Sequence, residues 1–348
     1  EPEDATPDLF SLYERYLIAS EEFDVPQLVT HYPHRIRCKN KKVIYDLACG
    51  GGDLEGKLNF TRWKIFPSEE LNFPPSWDCP TYKQQAGIYK YAKGTAKQVH
   101  WHVNFADEDL FYAYGSPLFA QDEIQSAEHP VLGHLREALG NLCKRNKGLS
   151  PLARHKGEPT PILVRGVERR CAINAGKRIY GSAFQFASKK LIVKSVKVLD
   201  TPVVSNLIAI AAIGYRAGKY TRLQLRDHFT NAYSGFYAAR LESMRQFKEE
   251  GRDTQPEVIV HTGNWGSGAF GNNRTVMALV QIGAAWLAGI DVLFYHTFDK
   301  AGTQDYQEAK ETFDEVILPQ LMEGVSTVSD FLDMVKDLKY RWGLSDGN

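Results

Sequence analysis

The sequence predicts an α/β fold in which a mixed sheet is flanked by helices. Two patterns carry that expectation. After Lys93 short apolar strands alternate with amphipathic helices, and helices connect the later strands. A third observation is that the richest motifs fall at or just after expected strand ends, where such folds hold ligands.

Taken in order, Asp8–Glu22 (DLFSLYERYLIASEE) carries apolar residues at helical spacing. Phe66–Tyr82 is proline-rich and reads as packed, irregular loop. Residues 1–95 are therefore expected to form a largely helical and irregular accessory region, and residues 96–348 the main domain. Expected strands are Gln98–Phe105, Ile162–Glu168, Leu191–Leu199, Val258–Thr262 and Val292–Thr297. Expected helices are Asp122–Leu139, Val203–Tyr215, Arg222–Glu250 and Asn273–Ala288. Tyr233 and Phe236 lie on the third of these and are expected in the core.

Composition removes several function classes. Lysine plus arginine total 42, as do aspartate plus glutamate, so the net charge is zero and a strongly basic nucleic-acid binder is excluded. The 43% hydrophobic content is that of an ordinary folded chain, not a disordered one. No apolar run reaches the length of a membrane span, and EPEDATPDLF has no signal-peptide apolar region. Cys38, Cys49, Cys79, Cys143 and Cys171 are odd in number, far apart and in no CxxC pair, which speaks against a disulfide framework and a zinc site. A reducing compartment, cytoplasmic or nuclear, is the expectation. His100, His102, His129 and His134 cluster in sequence without metal-ligand spacing, and Lys39, Lys41 and Lys42 read as a solvated basic run.

Two constellations carry chemistry. The strand EVIVHT runs into Gly263-Asn264-Trp265-Gly266-Ser267-Gly268-Ala269-Phe270-Gly271, and a helix follows. Such a loop lets backbone N–H groups approach a ligand, and with a helix N-terminus it suits a diphosphate. The same spacing also serves a plain glycine-rich turn. Trp265 and Phe270 fit either ligand stacking or core anchoring. No Gly-Lys-Ser/Thr follows, so this is not a Walker A loop.

The second constellation is acidic. Asp107, Glu108 and Asp109 precede an apolar, aromatic stretch (LFYAYGSPLFA), and Gln121-Asp122-Glu123 follows it at the start of an expected helix. Carboxylates there can simply cap the helix. They can also serve a glycosidic bond: a carboxyl among aromatic rings holds its proton longer and can act as a general acid, while a neighbour orients a ribose hydroxyl or a cationic leaving group.

Together these residues resemble the poly(ADP-ribose) glycohydrolase (PARG)-like macrodomain family. Val103–Ile124 (VNFADEDLFYAYGSPLFAQDEI) is similar to the family's VDFAN…GGG…QEEI signature, Asn231–Phe236 (NAYSGF) to its NKAYCGF segment, and Thr262–Gly271 (TGNWGSGAFG) to its TGNWGCGAFG loop. Weaker likeness extends to Ile179–Ala183 and Val292–Phe298. The resemblance implies a macrodomain-like sheet flanked by helices, with Glu123 as catalytic acid and Asp122 holding the ribose hydroxyls. It implies that Gly263–Gly271 cradles the diphosphate, that Phe270 packs on the ligand and that Phe298 stacks on adenine. Asn104, Phe105, Ala106 and Gln121 fall in the matching segment as further ADP-ribose-binding residues. No metal or redox cofactor is implied, and the partners are an ADP-ribosylated protein as substrate and ADP-ribose as product, with neither nucleic acid nor membrane.

The departures are informative. The family's GGG is Phe111-Tyr112-Ala113, its FAN is Phe105-Ala106-Asp107, and a ligand-clasping Tyr aligns with Ser182, with Tyr180 and Phe184 close by. Bulky side chains in place of glycines are expected to crowd the terminal ribose and disfavour polymer. Asp107 and Asp109 add carboxylates suited to a guanidinium. The expectation is therefore removal of single ADP-ribose groups from arginine, as in the branch of the family known among bacterial effectors. Polymer hydrolysis and non-catalytic ADP-ribose binding are the alternatives. Ile44–Asp53 (IYDLACGGGD) also resembles a methyltransferase glycine motif, which would require a strand running into that turn.

Overall fold

The computed structural model describes residues 9–91, 93–176, 178–324 and 327–347. The chain runs α1 (Leu9–Tyr16), β1 (Leu17–Asp24), α2 (Val25–His31), α3 (Lys39–Cys49), β2 (Lys57–Trp63), β3 (Thr81–Gln85) and β4 (Gln98–Phe105). It continues α4 (Gln121–Glu128), α5 (Val131–Leu142), the ribbon β5 (Arg154–His155) and β6 (Glu158–Pro159), β7 (Ile162–Ile173), α6 (Lys189–Ser195) and β8 (Val196–Ile210). It ends α7 (Arg222–Glu249), β9 (Glu257–Gly263), α8 (Arg274–Leu287), β10 (Val292–His296), α9 (Lys300–Thr312), α10 (Leu318–Glu323) and α11 (Val328–Asp337).

Eight strands form one mixed sheet in the order β1-β2-β7-β8-β4-β9-β10-β3. The β1, β2, β7 and β8 strands pair antiparallel. From β8 through β4, β9 and β10 to β3 every pairing is parallel. Strands from the first 95 residues thus take both edges. Alternation along β4 sorts the two faces: Val99, Trp101 and Val103 join the core under α7 and α8, while His100, His102 and Asn104 point to the opposite face. Tyr233 and Phe236 are buried in that core, as expected. Among the described residues no helix is long and apolar enough to cross a membrane.

Four elements differ from the sequence reading. Val203–Tyr215 is not a helix; its first part completes β8. A strand covered on both faces is apolar without alternation, so its run mimics a buried helix. Leu191–Leu199 is not one strand: Ser188 accepts the Leu191 N–H and starts α6, and β8 begins only at Val196. Asp122–Leu139 is broken at Pro130, which has no N–H to donate. The Asp8–Glu22 helix stops at Tyr16, and Leu17–Asp24 pairs with β2 instead; Asp8 itself lies outside the described residues. Ile44–Cys49 is helical, in α3, so the strand that the methyltransferase motif requires is not there.

Candidate active site

Four parallel neighbours, β4, β9, β10 and β3, end at one cavity of about 250 Å³. Its walls come from the residues just past each strand: Phe105–Asp107, Gly263–Phe270, His296 with Phe298, and Gly87–Tyr89. The N-terminus of α4 closes one side with Gln121, Asp122 and Glu123. The carboxyl ends of parallel strands are where such a sheet leaves a crevice.

α4 is tied to β4 by side chains. Gln121 accepts the Phe105 N–H (2.8 Å) and donates to the Val103 carbonyl (3.1 Å). Asn104, wholly buried behind the cavity, donates to Asp122 Oδ1 (2.8 Å) and to Gln125 Oε1 (2.9 Å). Glu123 Oε2 accepts the Ala120 N–H (2.8 Å), which bends the chain into the helix. Asp122 and Glu123 are adjacent and buried. Burial raises the Asp122 carboxyl above the carboxylate range and the Glu123 charge raises it further, against the pull of Asn104 and Lys41. Burial also raises Glu123, with Lys41 and backbone N–H groups opposing. Two buried carboxyls side by side hold a proton near neutrality, which a general acid requires.

Across the cavity lies the glycine loop. Gly266 has φ +70°, and a Cβ there would lie 2.7 Å from Ala212 Cβ; at Gly263 it would lie 2.5 Å from the His296 carbonyl oxygen. Only glycine lets this strand end pass so close to β10. Asn264 donates to the Thr297 carbonyl, Asn272 to the Ile213 and Gly266 carbonyls, and Asn273 caps α8. Among the described residues the Gly268, Ala269 and Phe270 N–H groups have no backbone acceptor. With the start of α8 they form a ready anion site. Trp265 is a core anchor: its indole is wholly buried and donates to the Ile210 carbonyl (2.9 Å). Phe270 faces the cavity with Tyr215 at its edge (5.7 Å between centroids). Phe298, at φ +64°, also lines it and meets Tyr180 at 5.4 Å.

The structure therefore brings Phe105, Ala106, Asp107, Gln121, Asp122, Glu123, Gly263, Asn264, Trp265, Gly266, Ser267, Gly268, Ala269, Phe270 and Phe298 to one cavity, with Asn104 one layer behind. Asp109 is not among them. Its carboxylate is paired with Arg136 of α5 (2.6 Å), and its N–H donates to Asp107 Oδ1 (3.1 Å). Asp107 itself is exposed and lines the cavity.

The expected crowding is also absent from the cavity wall. Phe111, at φ +56°, is wholly buried in a separate core, and Tyr112 is exposed outside the cavity. Lys41 does not belong to a solvated run; it is buried.

Several lining groups escaped the sequence reading. Arg274 follows the loop directly and pairs with Asp299 (3.2 Å), so its place on the first turn of α8 was a usable signal. Gly87, Ile88, Tyr89 and Tyr91 follow a short polar strand with no local signal. Asp346 arrives with a C-terminal strap anchored by Trp342, which stacks on Tyr220 (4.6 Å). The strap lies on the glycine loop, with the Asp346 N–H donating to the Gly268 carbonyl (3.3 Å).

Residues 158–305 match the family described as poly(ADP-ribose) glycohydrolase (PARG), macro domain fold. This stretch is similar to a PARG-type macro domain. It contains the glycine loop of the PARG-like chain, while Asp122 and Glu123 precede the matched residues. Among solved structures the chain is similar to the Thermomonospora curvata poly(ADP-ribose) glycohydrolase bound to the inhibitor ADP-HPD, at 12% identity and TM-score 0.40, over 86% of this chain and 87% of that one. It is similar to the Deinococcus radiodurans enzyme in complex with ADP-ribose, at 12% identity and TM-score 0.40, over 90% and 99%. It is also similar to the Oceanobacillus iheyensis macrodomain with MES bound, at 15% identity and TM-score 0.37, over 72% and 99%.

Proposed function

We propose that this PARG-like chain is an ADP-ribosyl glycohydrolase that releases single ADP-ribose groups from arginine side chains. The observation that carries the hydrolase reading is the buried Asp122–Glu123 pair facing a glycine loop with open N–H groups across one cavity. The diphosphate sits on the Gly266–Phe270 backbone, with Phe270 and Phe298 as apolar contacts for the rest of the ligand. Asp122, steadied by Asn104, holds the ribose hydroxyls. Glu123 gives its proton to the leaving nitrogen as the C1″–N bond breaks and its electron pair departs with the guanidine. Positive charge develops on the ribose, and water adds to C1″ while the regenerated carboxylate takes its proton.

The arginine preference rests on Asp107. Its carboxylate is at the cavity and exposed, so a substrate guanidinium can reach it in a two-point fork. Asp109, held by Arg136, acts only through Asp107. The second reading is polymer hydrolysis, favoured by the cavity wall being free of Phe111 and Tyr112.

The test is to incubate the protein with ADP-ribosyl-arginine protein and, separately, with poly(ADP-ribose), and to quantify released ADP-ribose beside a Glu123→Gln control. Release from the arginine substrate alone, lost in Glu123→Gln and weakened in Asp107→Ala, is expected. Release from polymer makes the chain a polymer hydrolase. ADP-ribose binding without turnover of either substrate makes it a reader. Full arginine activity in Asp107→Ala refutes the guanidinium contact.

A further inference from the structure

Lys41 occupies a place that a lysine seldom takes. It sits on the first turn of α3, inside the region before residue 95, with 2% of its surface exposed. Its Nζ donates to the Ala113 carbonyl (2.8 Å) and lies 5.8 Å from the centre of the Phe119 ring. Both partners belong to the stretch that leads into Ala120, whose N–H holds Glu123. A carbonyl and a ring face do not offset the desolvation of a full positive charge. A neutral amide would satisfy Ala113 as well, so the charge itself needs an account.

The anionic groups that face Lys41 supply one. They are the Glu123 carboxyl first and then the Asp122 carboxyl, with the neutral Cys38 side chain at the N-cap of its own helix between them in influence. Lys41 makes no ion pair with a carboxylate among the described residues, so it acts on the acidic pair through its field and leaves the carboxylate oxygens to the cavity. The other groups facing the pair are Asp107, which adds negative charge, and neutral Asn104, which donates to Asp122. Tyr180, from the segment after β7, also feels Glu123. Arg274 lines the cavity but is engaged by Asp299. Three carboxylates against one buried ammonium would be unbalanced if all were ionised. One ammonium and one shared proton bring the buried Asp122–Glu123 pair to neutrality.

We propose that Lys41 is a positioning residue of the active site: a buried counter-cation that keeps the Asp122–Glu123 pair at one proton and one negative charge, and that pins the Leu110–Ala120 stretch to α3. The inference rests on the hydrolase reading above, and it gives the N-terminal region a part in the chemistry. Burial draws the ammonium down to about 8, with Glu123 pushing it back up, so the charge is present through neutrality.

Lys41→Gln keeps a donor for the Ala113 carbonyl and removes the charge, while Lys41→Arg keeps the charge. In Lys41→Gln the acidic limb of kcat/KM on the hydrolysed substrate moves up by about one pH unit, a loss of about tenfold on that limb, with a much smaller loss on the plateau. Lys41→Arg restores most of it. An equal loss at every pH, or a Lys41→Arg variant as impaired as Lys41→Gln, makes the residue structural and overturns the proposal. Carbon-13 NMR titration of the Asp122 and Glu123 carboxyls gives a readout independent of turnover. Both titrations are expected to move up in Lys41→Gln. An unmoved titration overturns the Lys41 proposal even in an active enzyme. Moved titrations in a protein that hydrolyses neither substrate uphold the counter-cation and sink the hydrolase reading instead. Should Lys41→Gln not fold, Lys41→Met, judged by the same titration, takes its place.

Discussion

The C-terminal end of α4 is held by a buried ion pair that can be broken one charge at a time. Arg169 of β7 meets Glu128 with two parallel bonds of 3.0 Å, and both side chains are less than a tenth exposed. Glu128 also accepts the Ile173 N–H (2.7 Å), and the Arg169 guanidinium lies 4.3 Å from the centre of the Tyr91 ring. Arg169→Met keeps most of the volume and strands the carboxylate. Breaking one side of a buried pair destabilises a fold by about 3–5 kcal/mol. At about 2 °C per kcal/mol for a chain of this size, that is a fall in Tm of roughly 6–10 °C. The sign with pH is fixed by Glu128, whose carboxyl burial already raises while Arg169 pulls it down. Without Arg169 it rises further. A carboxyl raised in the folded state contributes stability that is present below its unfolded value and lost as pH climbs through its folded one. The deficit of Arg169→Met is therefore larger at pH 8 than at pH 5. Differential scanning calorimetry at the two pH values measures both terms, and Glu128→Gln/Arg169→Met is expected to recover part of the loss. A deficit below about 1 kcal/mol, or one that grows toward acid, would refute the reasoning, because a buried and uncompensated carboxylate cannot behave that way.

The same linkage predicts that Asp122→Asn stabilises the fold while removing activity. Burial and Glu123 raise Asp122, so its penalty is felt above the ordinary carboxylate range. Thermal melts should show a gain of about 1–2 kcal/mol at pH 8 and none at pH 4. Gly266→Ala places a Cβ 2.7 Å from Ala212 at φ +70°. Left-handed strain of roughly 1–2 kcal/mol adds to the clash, and ADP-ribose affinity measured by calorimetry should fall by at least about tenfold. Asp346 puts a carboxylate into the cavity beside Gly268, where the proposed function places a negative diphosphate. Asp346→Asn should tighten ADP-ribose binding roughly three- to tenfold at low salt, with the gain fading at high salt; unchanged or weaker binding would mean that the carboxylate helps the ligand.

What could be read from the sequence follows from how local each signal is. β4, β9, α7 and α8 were legible because alternation, helical period and caps lie within one segment. β8 was not, because burial on both faces erased its alternation. β3 (TYKQQ) has no apolar pattern, since an edge strand paired with only one neighbour needs none. At the site, the glycine loop and Gln121–Glu123 were visible because backbone geometry restricts which residues can stand there. Asp109 was misplaced because the charge that claims it, Arg136, is a turn and a helix away. Phe111 was misjudged because a positive φ can turn a large side chain into the core as well as toward a ligand. Tyr91 and Asp346 reach the cavity, and Lys41 the Ala113 carbonyl, from remote parts of the chain, and only the assembled fold brings them there.

The strand order also sets a timetable for the chain as it is made. β3 is synthesised early, yet its partner β10 begins more than 200 residues later, with Val292 opposite Thr81. β2 likewise waits for β7, whose Ile162 meets Arg62. β3 must therefore stay unpaired until most of the polypeptide has emerged, whereas β1 and β2, already paired with each other, wait about a hundred residues for β7, and pairings of such separation close slowly. The waiting segments suit that delay: β3 is polar, and β1 carries Glu21 and Glu22, so neither offers a sticky edge to a neighbouring chain. The wall that begins at Gly87 is then among the last parts of the cavity to close.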